Sequence, residues 1–179
     1  VRLRDPNMES NHLKGSVGLI TSRFLVEAPI IKNKLSSAIG ARWSYADYLF
    51  RSFLRPELKE TEANFYDFTF KSIYKPSEKD QVSLTAFMGK DAFRIAGDSL
   101  STLEINASST RYLWKTQGAS IRWSHFVNEN AGFHLTTFFS DYQPSFDIPA
   151  PGSEAIFKSG ISQKSIQGEG FLSQKAITI

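Results

Sequence analysis

Two histidines, His125 and His134, flank the short segment VNENA (127–131) and are the pair best spaced for a shared metal ion. A metal centre needs several ligands converging from one side. Folding the chain at VNENA sets Trp123 opposite Leu135 and Ser124 opposite His134. Side chains alternate faces along a strand, so this register puts His125 on the apolar parity and His134 on the polar one. The two rings then point to opposite faces and no shared metal is expected. His12 stands alone in a polar segment, and the chain has no cysteine for a thiolate ligand or a disulfide. Serine, aspartate and histidine are all present, but no G-x-S-x-G elbow occurs. The segment GKDAFRIAGDS (89–99) has glycines without phosphate-loop or dinucleotide spacing. Glu57 and Glu60 read as solvated loop charge, and N-A-S at 106–108 matches a glycosylation acceptor pattern that is common by chance. The expectation is a protein that is not an enzyme, with no catalytic residue, no metal and no cofactor.

The elements that carry these residues are strands. Apolar and polar residues alternate with period two over about 17–28, 35–45, 65–74, 82–90, 112–126, 131–142 and 157–168, with an eighth run starting near Lys175. PIIKNK (29–34), KPSEKD (75–80) and VNENA are short and rich in turn residues. The intervening stretches 46–64, 91–111 and 143–158 are long. Short and long connections alternate, which in an up-and-down sheet puts all the short turns at one end. Directly paired residues must share a face. KPSEKD pairs Tyr74 with Val82, Phe70 with Ala86 and Phe68 with Met88. VNENA adds Ile121 with Thr137 and Ala119 with Phe139. PIIKNK, taken as a six-residue turn, pairs Ala28 with Leu35, Phe24 with Ile39 and Ile20 with Trp43. In all three hairpins the apolar parities meet. Within 47–60, Tyr48, Leu49, Phe53 and Leu54 form an apolar stripe before Pro56, which predicts a short helix.

Strands of about 10 to 12 residues suit a tilted bilayer crossing, whereas strands of soluble proteins are commonly about half that. Aromatic residues gather toward the strand ends. Trp43, Tyr45, Tyr66, Tyr74, Trp123 and Tyr142 are expected to form an interfacial girdle, with Tyr48, Tyr112 and Trp114 in the same zones. On the other parity, Arg23, Glu27, Arg42, Asp67, Lys71 and Arg122 are expected to face a polar lumen. The fold class expected is all-β: an antiparallel up-and-down meander forming a sector of a transmembrane β-barrel, with about 7–8 strands present. A soluble β-sheet binding module and a small self-contained outer-membrane barrel, structural or adhesive, remain open on pattern alone.

The length of 179 residues fits one domain, and a hydrophobic fraction of 41% with 15 phenylalanines is ample for a sheet with one apolar face. The net charge is only +3 and the cations are scattered. No basic tract tracks phosphates, so no nucleic-acid partner is expected. No stretch reaches the apolar length of a membrane-spanning helix. The chain reads as a piece of a longer protein, with 1–16 leading into the strands and 17–179 forming the sheet.

Over GSVGLITSRFLVEAPIIKNKLSSAIGARWSYADYLF (15–50) the sequence resembles the TonB-dependent outer-membrane receptors of Bacteroidetes-type bacteria. The matching pattern is S-R-x-x-x-E-G-P, then I-I-K-x-K-L-S, then R-x-S-Y-x-D. Here it falls on Ser22, Arg23, Glu27, Pro29, Ile30, Ile31, Lys32, Lys34, Leu35, Ser36, Arg42, Ser44, Tyr45 and Asp47. Ala28 replaces the glycine usual before the proline. FYDFTFKSIYKPSEKDQVSLTAF (65–87) looks like the next hairpin of the family. The resemblance implies a location in the bacterial outer membrane and a 22-stranded barrel of which this chain is the N-terminal part. Residues 1–16 would then lead from a plug into the barrel. It also implies energised nutrient uptake of a scarce ligand such as a siderophore, glycan or peptide. The implied partners are outer-membrane lipid, the rest of the receptor including its plug, TonB acting through the N-terminal part, and a surface lipoprotein.

Overall fold

A computed structural model describes residues 3–53, 62–96, 109–150 and 153–173. The chain is all-β, with nine antiparallel strands in one meander and a single short helix among the described residues. The elements are β1 (His12–Val17), β2 (Thr21–Ile31), β3 (Leu35–Ser44), α1 (Ala46–Phe53), β4 (Glu62–Tyr74), β5 (Asp80–Ala96), β6 (Ser109–Asn128), β7 (Ala131–Ala150), β8 (Ser153–Lys158) and β9 (Ile161–Leu172). Strands β1 to β8 lie side by side in chain order, and β9 pairs β7.

Strands β8 and β9 continue one register along the same edge of β7: Ser145 faces Lys158 and Tyr142 faces Ile161. The break between them lies opposite Pro144, which has no N–H to give the ladder. Its carbonyl still accepts from the Ser159 amide at 3.1 Å.

Two hairpins have the register that alternation predicts. Phe70 faces Ala86 and Phe68 faces Met88 across β4–β5, and Trp123 faces Leu135 and Ala119 faces Phe139 across β6–β7. The first long hairpin differs by two residues. Val26, not Phe24, faces Ile39, and Ser22, not Ile20, faces Trp43. The turn there is Lys32–Asn33–Lys34 rather than six residues, because Asn33 takes the left-handed conformation at φ 58°. Asparagine tolerates that region better than most residues. Pro29 and Ile31 therefore stay in the ladder on either side of a bulge. The shift is even, so every side chain keeps its face.

The chain also turns once more than the alternation suggests. The Gly18 amide bonds the Thr21 carbonyl at 2.8 Å, which separates β2 from β1, a strand that falls almost wholly within the 1–16 stretch expected only to lead into the sheet. Stretches expected as long loops are partly strand: β5 runs up to Ala96, β6 starts at Ser109, β7 extends to Ala150 and β8 follows. Helix α1 forms where the apolar stripe predicts it, while Leu54, Pro56, Glu57, Glu60, the N-A-S tripeptide and the strand expected near Lys175 lie outside the described residues. Asp47 in the first turn of α1 accepts bonds from the Ala63 amide and from Asn64 Nδ2, the latter at 2.6 Å, and so ties the helix to β4.

The sheet is a single layer. Only Ala38, Ala46, Ile73 and Ala92 are buried hydrophobic residues among those described. Soluble domains cover the apolar face of a sheet with a second layer. Here that face is open: Ile121 is 49% exposed and Leu135 44%.

Candidate functional site

The pairings assign every strand residue to one of two faces. The apolar face carries Val26, Ile39, Phe70, Ala86, Ala119 and Phe139 in adjoining strands. Its lower margin, near the short turns, is aromatic and polar-tipped. Trp123 Nε1 donates to Asp80 Oδ1 at 3.1 Å, His125 Nδ1 lies 2.8 Å from the same oxygen, and the Phe133 ring sits edge-on to Trp123 at 5.3 Å. Tyr74 faces Leu35 and Val82 at that level.

The upper margin crosses the strands obliquely. The first polar residue above the apolar run is Asn64 on β4, Lys90 on β5, Gln117 on β6, Asp141 on β7 and Lys164 on β9. Lys164 shares its row of direct partners with Phe139, Ala119, Ala86 and Phe70. Phe70 lies six positions along β4 from Asn64. The margin thus falls six residues, ~20 Å, while crossing four inter-strand steps, ~19 Å. A flat boundary that does this is met by strands tilted about 45°.

All six polar-parity residues named from the sequence lie together on the opposite face, linked by the pairings Arg23–Arg42, Arg42–Asp67, Lys71–Thr85 and Ser83–Arg122, with Glu27 across from Ala38 and Ala38 from Lys71. Arg42 makes an ion pair with Asp67 at 2.6 Å and lies 4.8 Å over the Phe65 ring. Lys71 is almost covered. Its Nζ donates to Asp5 Oδ1 at 2.5 Å and to the Leu3 carbonyl at 2.7 Å. Those partners belong to an N-terminal arm that crosses this face. Ser36 Oγ donates to the Asn7 carbonyl, and the Asn33 amide bonds the Met8 carbonyl at 3.1 Å. Glu27 is buried, 4% exposed. Arg122 uses Nε on Thr136 Oγ1 at 3.0 Å and makes no ion pair among the described residues. A cleft of about 710 Å³ runs from the arm to Arg122 and His134, with Ser83, Thr85 and Ser120 on its walls.

Of the six aromatic residues expected at the membrane interface, Trp43 faces Tyr66 on the apolar side, and Tyr74 and Trp123 occupy its lower margin. Tyr45 stands just past β3, with its hydroxyl on the Gly18 carbonyl and Ser22 Oγ donating to it at 3.3 Å. Tyr142 does not belong with them. It pairs with Thr116 and Ile161, on the face of Arg122 and His134. Trp114 and Tyr112 are on that polar-parity face too. There Phe93, Tyr112, Phe146 and Phe157 form one row across four strands, with the Tyr112 and Phe146 rings 4.6 Å apart. Above the apolar band the two faces exchange character: charges go out and rings go in. Parity along β6 alone already puts Tyr112 and Trp114 with Arg122, and the register adds that the rings line up across four strands.

The register also joins Ser124 to His134 with Oγ and Nδ1 2.9 Å apart, a contact the chemical motifs do not flag. It resembles a nucleophile and its base. The third member is missing: Glu169 is opposite His134, but no bond joins them among the described residues, and the ring stacks on Phe171 at 5.2 Å instead. Interior strand amides are taken up in the ladder, so none is aimed at a developing oxyanion. His125 lies on the other face, and no group of three or more His, Cys, Asp or Glu converges for a metal among the described residues.

The chain matches no protein-family model, no curated protein and no solved structure.

Proposed function

We propose that the chain is part of the wall of an outer-membrane β-barrel, of the TonB-dependent receptor type its sequence resembles, serving energised uptake of a scarce ligand. The observation that carries the membrane part is the uncovered apolar band with an oblique margin. A water-soluble sheet has no reason to end its apolar residues along a line inclined to every strand. A slab of hydrocarbon does, because its boundary is flat and the strands cross it at an angle. Tyr66 and Tyr74 mark the two margins on β4, eight residues or ~26 Å apart along the strand, which a 45° tilt reduces to ~19 Å of height. That lies close to the apolar height of about 25 Å in such barrels. The polar face, with its fixed arm and hydroxyl-lined cleft, is the interior wall. The receptor assignment, its plug, TonB and a surface lipoprotein rest on the sequence resemblance.

These 179 residues contain no cysteine, so each introduced label is unique within them. Leu84→Cys, Ile121→Cys and Leu135→Cys are compared with Ser83→Cys, Ser120→Cys and Thr136→Cys in the full protein in its source membrane. A bilayer-resident quencher reaches labels on the first set, and a water-soluble maleimide reacts with the second. Equal maleimide reactivity on both faces rejects the membrane wall.

A further inference from the structure

Lys90 and Lys115 stand directly opposite each other on β5 and β6. Cβ atoms of such partners are about 4.5–5.5 Å apart, and like charges there repel. Other opposed cations on this sheet are answered. Arg94, opposite Arg111, has Glu62 at 4.0 Å, and Arg111 has Asp147 across its other side. Arg42, opposite Arg23, has Asp67. Lys90 and Lys115 make no ion pair or hydrogen bond among the described residues. Their outer neighbours are Tyr66 and Gln143. The carboxylate diagonal to Lys115, that of Asp141, is engaged by Gln143 Nε2 at 2.6 Å and Gln117 Nε2 at 3.5 Å.

The pair lies on the apolar face at the upper margin, immediately above Met88. Lys90 is half-buried there. A hollow of about 180 Å³ opens among Tyr66, Met88, Lys90, Lys115, Gln117 and Gln143, with Asp141 also on its wall. Two ammonium groups, a phenol, two amides and the Asp141 carboxylate, the last already taken up by Gln117 and Gln143, surround a space with Met88 on its floor. An anion between the lysines would turn their repulsion into attraction.

We infer that Lys90 and Lys115 bind the phosphate of an anionic membrane lipid whose acyl chains lie down over Phe68 and Met88. The inference rests on the membrane reading above, since only a bilayer puts headgroups at this margin. The occupant is a lipid rather than a free anion because the hollow is continuous with the apolar band and closed by no further cation.

The test uses the full protein in phosphatidylcholine bilayers doped with a lipid bearing a phosphate monoester. Lipid retained after mild detergent extraction is counted by native mass spectrometry. The unaltered protein retains the phosphate lipid in preference to phosphatidylcholine. The variant Lys90→Gln/Lys115→Gln loses that preference about tenfold, while Lys79→Gln, in the turn at the far end, keeps it. Equal retention by the double variant overturns the inference. So does complete displacement by millimolar inorganic phosphate, which marks a plain anion site. If the cysteine labels alternate between lipid and water but the double variant retains lipid normally, only the lipid site fails. If the labels do not alternate, the membrane reading fails and takes the lipid site with it.

Discussion

Lys71 shows how one side chain joins two parts of the chain. Its ammonium is covered and, among the described residues, satisfied by the arm, through Asp5 and the Leu3 carbonyl. Removing the charge leaves both acceptors without it, whereas removing Asp5 leaves a covered cation with one partner fewer. Lys71→Met is expected to free the arm, read as faster amide exchange of Asn33, whose N–H bonds the Met8 carbonyl. Unchanged exchange there would show that the bonds from Ser36 and the Asn33 amide hold the arm without Lys71. Gly132 tests packing at the same scale. A Cβ at this position would meet the His125 carbonyl at 2.5 Å and the Phe171 ring at 2.7 Å, while one at Gly168 meets nothing within 4 Å. Gly132→Ala is expected to cost about 1–3 kcal/mol in urea unfolding, and Gly168→Ala to leave the midpoint within experimental scatter. Equal midpoints would mean that Phe171 does not lie over Gly132. The six polar-parity residues were legible at this scale because strand parity alone sorts them. The Ser124–His134 pairing was legible as well, since folding at VNENA sets the two opposite each other, and the same parity places Tyr142 with His134; what needed the structure was that Ser124 Oγ and His134 Nδ1 come within 2.9 Å.

At the scale of elements, the turns decide how much of the register can be read. KPSEKD and VNENA are short and polar, so the apolar runs beside them pair in the only way that matches both length and parity. PIIKNK contains apolar residues that either turn or strand would accept, and the left-handed Asn33 selects the tighter turn. Asn33→Val is expected to destabilise the protein by about 1–2 kcal/mol, because a β-branched residue resists φ near 58°. Asn33→Gly is expected to be tolerated. Urea midpoints of the two variants check this, and equal losses would mean that the Asn33 side chain rather than its backbone sets the turn. The extra turn at Gly18 and the extensions of β5 to β8 escaped the sequence for a common reason. Alternation changes parity there: Phe93, Tyr112 and Phe146 stand on the face that is polar lower in the same strands, and the run on either side of Gly18 is interrupted, so neither reads as the continuation of one strand.

Across the whole molecule, the two faces respond differently to charge. In a bilayer an arginine on the apolar face costs about 2–4 kcal/mol at mid-depth and about 0–1 near the margin. Ile121→Arg, on a row bounded by Leu84 and Thr137 within the band, is therefore expected to unfold far more readily than Met88→Arg, beside Lys90. Ser120→Arg, one residue away on the polar face, is expected to be mild. Unfolding from lipid vesicles measures all three, and a penalty independent of depth would contradict a slab boundary. The meander is legible from alternation and turn spacing, and the inclination of the band becomes legible once neighbouring strands are set in register.

Every described strand except β9 finds its partners immediately before and after it in the chain, and β9 merely continues the edge that β8 begins. Each closure therefore joins strands that are near neighbours in the chain, which keeps its entropic cost low compared with pairing distant segments. Such a wall can grow in the order of synthesis, one strand at a time, each arriving with its greasy side already facing the same way as the last. A permuted gene that delivers β6 before β2 would break that order without altering a single contact, and slowed assembly with an unchanged final fold would be its signature.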